Sequence, residues 1–152
     1  MSKGKAFFLV GHKHWGKSLT LIELQGGDWR KHGSVFIKGH KLFVRRMSND
    51  DIPNSYFDFL HGLDADEKPL LIMTLCPDFD NPPRKVANAL RKLSDKYELF
   101  FWVMKFRWEH DDWVTVEEIR QLHALGTVEI YDGRHEKDKR ARIFKKFIAS
   151  RL

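Results

Sequence analysis

Five consecutive apolar residues, Ala6-Phe7-Phe8-Leu9-Val10, run straight into Gly11, and a second glycine, Gly16, stands immediately before Lys17 and Ser18. An apolar run without alternation reads as a strand buried on both faces, as in a parallel sheet covered by helices. Glycine at its end permits a sharp exit, and the segment opening at Gly16-Lys17-Ser18 reads as a helix that stops at Gly26-Gly27. A strand, a tight loop and a helix in that order place the chain in the α/β class.

The remaining sequence keeps the alternation. Ser34-Val35-Phe36-Ile37 and Leu42-Phe43-Val44-Arg45 flank Lys38-Gly39-His40-Lys41, which predicts an antiparallel hairpin over 34–46. A short helix is expected over 55–63, a buried strand over 70–76, and an amphipathic helix over 84–96 with Val86, Ala89, Leu90 and Leu93 on one face. An apolar strand follows at 99–104. Thr115 with Glu118 forms a capping box for a helix reaching about Leu125. A last strand covers 127–131, and a last helix, 137–150, turns Ile143, Phe144, Phe147 and Ile148 inward and its basic residues outward. The expected architecture is a three-layer α/β sandwich with a mostly parallel central sheet, and 152 residues suit one domain, 1–152.

Gly11-His12-Lys13-His14-Trp15-Gly16-Lys17-Ser18 fits G-x-x-x-x-G-K-[ST]. From average residue usage, an accidental match is expected in roughly one chain of this length in 200. Such a loop encloses a pyrophosphate with inward-pointing backbone N–H groups, aided by the positive end of the following helix. On these residues the chain resembles the P-loop NTPase superfamily. The resemblance implies that Gly11 and Gly16 shape the loop, that Lys17 reaches the β- and γ-phosphates of ATP or GTP, and that Ser18 ligates Mg²⁺. His12, Lys13, His14, Trp15 and Leu19 complete the candidate nucleotide-binding segment, adding charge near the phosphates or a ring to stack on a base. His12 and His14, with no acidic or cysteine partner nearby in sequence, read as loop cations and not as metal ligands.

Hydrolysis also needs a carboxylate that holds Mg²⁺ through water at the end of a neighbouring strand. Strand 70–76 ends in Thr74-Leu75-Cys76, so the candidates are Asp50 and Asp51, in the loop after the second hairpin strand, and Asp78, in the loop after strand 70–76. Lys17, Asp50 and Asp78 form the candidate catalytic set, and hydrolysis is expected to be slow, because no water-positioning glutamine or arginine finger is identifiable. The element order is similar to that of small GTPases, with Asp28 to Gly33 placed as a loop over the phosphates. The family's guanine-recognition Asn-Lys-x-Asp is replaced by Met104-Lys105-Phe106-Arg107, which favours adenine slightly. A small P-loop kinase is the alternative, with Arg134, Arg140 and Arg142 as lid arginines and Arg45 and Arg46 on an acceptor phosphate.

Charge adds a third reading. The net charge is +6, and the last nineteen residues, with eight basic and two acidic side chains, carry all of it. A basic C-terminal helix of this kind suits nucleic acid or an acidic partner on a nucleotide-binding module. A single cysteine, Cys76, excludes an intrachain disulfide. With no apolar run near the roughly 18 residues that span a bilayer and no secretory pattern at the start, a cytoplasmic setting away from the membrane is expected.

Overall fold

The computed structural model describes residues 3–12, 15–27, 33–49, 53–77, 85–105, 113–133 and 136–152. Along them lie β1 (Gly4–Val10), α1 (Lys17–Leu24), β2 (Gly33–Ile37), β3 (His40–Arg45), α2 (Pro53–His61), β4 (Leu70–Leu75), α3 (Lys85–Leu93), β5 (Tyr97–Met104), α4 (Val116–His123), β6 (Thr127–Tyr131) and α5 (Lys137–Ala149). The strands form one sheet in the order β2-β3-β4-β1-β5-β6. Only β2 and β3 pair antiparallel; the other neighbours are parallel. The expected α/β class and the hairpin are therefore present. The hairpin turns at Lys38-Gly39, with φ of 52° and 79°, the two positive angles that match a tight turn to the strands' twist.

β1 lies between β4 and β5, and Ala6 through Val10 are fully buried. Phe7 stacks on Phe100 and Phe8 on Phe101, with ring centroids 5.0 and 5.2 Å apart, one pair on each face of the sheet. Each such buried ring contributes about 1.5–3 kcal/mol by leaving water. On the face of Phe7, α5 supplies Phe147, edge-on to Phe7, and Phe144, 5.2 Å from Trp102; α1 packs beside α5. The second helix pair, α2 and α3, buries Tyr56, Phe57 and Leu60 together with Val86, Ala89, Leu90 and Leu93.

The sheet order fixes where a ligand fits. β1 leads through α1 toward the hairpin edge, whereas β4 leads through α3 across β1 to β5. Right-handed crossovers in opposite directions place those helices on opposite faces. The segments leaving the C-terminal ends of β1 and β4 therefore part toward opposite faces, which makes this the topological switch point of the sheet. Among the described residues no helix is long and apolar enough to cross a membrane.

Candidate functional site

The segment leaving β1 is built from local geometry. Gly11 N donates to Leu75 O at 3.0 Å, so the segment begins in register with β4. Trp15 N donates to His12 O at 3.2 Å, closing a tight turn. Gly16 caps α1 with φ 80° and ψ 26°, a left-handed conformation that costs any other L-residue about 1–2 kcal/mol. The amides of Lys17, Ser18 and Leu19 stand in the first turn, where no helical carbonyl precedes them and the helix dipole is positive. The Lys17 side chain, 7% exposed, curls back so that Nζ donates to Gly11 O at 2.8 Å and His12 O at 2.9 Å.

Trp15 departs from expectation. It is 1% exposed, in the core and beside His12, with ring centroids 5.3 Å apart. An indole gains more by leaving water than by standing in it, and the turn at His12 folds it under the loop; it is neither a solvent-facing platform nor open for stacking on a base. Leu19 is half-exposed on the first turn of α1. Lys13 and His14 lie outside the described residues, as do Asp28, Arg134 and the candidate acids Asp50, Asp51 and Asp78.

His12 has the partners that its neighbourhood in sequence lacks. Its Nε2 meets Glu118 Oε1 at 3.2 Å across 106 residues. Hydrogen bonding to the Cys76 side chain, then to Glu118, outweighs burial and raises its pKa from the usual 6.5 to about 10. Both ring nitrogens of the resulting imidazolium are donors. Glu118 also closes the expected capping box: its Oε1 accepts from Thr115 N at 2.8 Å, and its own N donates to Thr115 Oγ1 at 3.1 Å. Burial pushes Glu118 upward, but the bonds from His12 and Thr115 prevail and hold it below the ordinary carboxylate range. Among the described residues no group of three or more His, Cys, Asp or Glu side chains is placed to hold a metal ion.

The loops after β3 and β4 meet beside α1. Arg46 O accepts from Thr74 Oγ1 at 3.0 Å and from Ser18 Oγ at 3.3 Å. Asn49 pairs with the backbone of Cys76 twice, Nδ2 to Cys76 O at 3.1 Å and Cys76 N to Oδ1 at 2.7 Å. β4, one of the two neighbours of β1, thus carries a hydroxyl, Thr74, one residue before its end at Leu75, and the loops that lead to Asp50 and Asp78 are tied together at Asn49 and Cys76.

Behind the loop, Arg140 of α5 is 2% exposed. Its Nε donates to Thr20 Oγ1 at 3.0 Å, and Thr20 Oγ1 donates to Gly16 O at 2.9 Å. This corrects the reading of Arg140 as an outward lid arginine: it bonds into α1 inside the helix pair. From sequence, Glu118 has only a capping role, and neither Thr74, Asn49 and Thr20 nor the inward bond of Arg140 is placed at the site. Each acts through a partner distant in the chain, and only the capping-box spacing of Glu118 gave any local sign of a constrained side chain. No protein-family model matches the chain, and no curated protein matches it.

Proposed function

We propose that the chain is a three-layer nucleotide-binding domain of the P-loop type, taking a nucleoside triphosphate, ATP or GTP, with Mg²⁺ on the segment from Gly11 to Leu19. One observation carries the reading: a left-handed glycine at the start of α1, with the next lysine curled onto the loop, at the point where the sheet's connections reverse. A polyphosphate entering there exchanges the Lys17 contacts to Gly11 O and His12 O for charge-assisted bonds to phosphate oxygens, which are roughly twice as strong as neutral ones. The first amides of α1 donate to the same oxygens, and His12, held by Glu118 at 3.2 Å, fixes the loop's start.

The oxygen donors suit a hard cation. Ser18 Oγ, which donates to Arg46 O beside Thr74 Oγ1, would hold Mg²⁺ together with the carboxylate of Asp50 or Asp78. Mg²⁺ would there neutralise charge on the β- and γ-phosphates. Turnover is slow on this reading, because no water-positioning glutamine or arginine finger is identifiable in the sequence.

Calorimetric titration with ATP, GTP and tripolyphosphate, with and without Mg²⁺, tests the proposal. Lys17→Ala should weaken binding by about a hundredfold, the equivalent of losing a hydrogen-bonded charge of about 2–3 kcal/mol. Equal affinity in Lys17→Ala, or no binding by the unaltered chain, contradicts it.

A further inference from the structure

The hairpin, 33–46, and residues 139–152, most of α5 and the tail, carry no acidic residue. The fold brings them together, with Lys38 Nζ at the hairpin turn donating to Ala149 O at the end of α5 at 3.2 Å. We infer that the outer face of α5, continued by this turn, binds the phosphate backbone of nucleic acid.

Helical spacing sorts the residues of α5 cleanly. Arg140, Ala141, Phe144, Phe147 and Ile148 are buried, and Lys139, Arg142, Lys145 and Lys146 are exposed on the opposite arc. Among the described residues none of these four is held in an ion pair. The helix of 13 residues is roughly 20 Å long, a span matching about six phosphates along one strand. Its negative C-terminal end would repel phosphate, but Lys38 covers Ala149 O and Lys5 covers Arg151 O. The end that should be unfavourable is therefore neutralised.

The same face discriminates between polyanions. An interfacial membrane helix needs apolar side chains beside its cations, and a protein interface needs aromatic or aliphatic anchors with few lysines. None of the exposed large hydrophobic residues lies on α5. Phe36, the exposed ring of the hairpin, stands opposite Lys41 on the face where Phe43 stacks on Phe59 of α2. A row of cations without anchors matches repeating phosphates, which position a protein without reading sequence.

Fluorescence anisotropy of the full chain with labelled 20-nucleotide single-stranded and duplex DNA, between 50 and 200 mM salt, tests the inference. Four phosphate contacts predict a slope of log affinity against log salt of about −3 to −4. The variant Lys139→Gln/Arg142→Gln/Lys145→Gln/Lys146→Gln, altered only at exposed positions and checked for unchanged circular dichroism, should bind more than tenfold weaker with a nearly flat slope. Arg91→Gln/Lys92→Gln on α3, away from this surface, should bind as the unaltered chain does. Absence of binding at 50 mM salt, equal affinity in the fourfold variant, or tighter binding to polyglutamate or to phosphatidylserine vesicles overturns it.

Discussion

At the scale of single residues, His12 connects the loop to the rest of the molecule, and its protonation makes stability depend on pH. Its pKa is raised from 6.5 to about 10 in the fold, so its contribution is complete below pH 6.5 and is lost as pH rises through 10. Glu118 is held below its ordinary 4.5, so its contribution is present above that value and is lost on acidification. The pair therefore stabilises most between about pH 4.5 and 6.5. Urea unfolding at pH 6, 8 and 9.5 should show stability declining with pH in the unaltered chain and a shallower decline in His12→Gln; identical slopes would remove the pair from the account. Gly16 makes a second prediction. Gly16→Ala at φ 80° should lower stability by about 1–2 kcal/mol and weaken triphosphate binding further, as thermal melting and titration would show. The two residues differ in how visible they are. Gly16 and Lys17 are legible because the loop is continuous in sequence, whereas the partners of His12 lie just past β4 and on α4, where no local pattern points to them.

Among the elements, the packing of α5 on α1 reaches the loop through one chain of bonds, from Arg140 to Thr20 to Gly16 O. Arg140→Ala removes a buried charged group and one of the Thr20 hydroxyl's partners, and should cost about 3 kcal/mol. Because Thr20 holds the carbonyl of the loop's glycine, the variant should also lose triphosphate affinity. If titration showed full affinity in Arg140→Ala, α5 would be a support for the sheet and not for the loop. Helical periodicity correctly turns Phe144, Phe147 and Ile148 inward but treats every basic residue of α5 as outward. It cannot register that a guanidinium facing Thr20 satisfies its hydrogen bonds inside the helix pair. Boundaries also move where tertiary contacts decide them: β5 begins at Tyr97, two residues before its apolar run, because Gly4 N bonds Lys96 O and Tyr97 OH bonds Lys68 O.

Across the whole molecule, the decisive feature is strand order. Local patterns identify strands, the hairpin and the α/β class because burial on both faces, turn residues and helical stripes are written in neighbouring residues. They do not state which strands are adjacent. The structure places β4 and not β3 against β1, with Thr74 one residue before its end at Leu75, and the loops bearing Asp50 and Asp78 start from one knot at Asn49 and Cys76. A ligand held at that point binds only the folded chain. At a hundred times its dissociation constant it should stabilise the fold by about 2.7 kcal/mol, raising the melting temperature by roughly 5–10 °C for a domain of this size. Calorimetry with Mg-ATP checks this, and Lys17→Ala should show no such rise.

Amide-resolved nuclear magnetic resonance during titration with tripolyphosphate and then Mg-ATP tests most directly whether the segment after β1 holds a polyphosphate. The account predicts saturable shifts concentrated on Gly11, His12 and Gly16 to Leu19, lost in Lys17→Ala. Unmoved signals at these positions under saturating ligand, or shifts confined to another part of the chain, would contradict it.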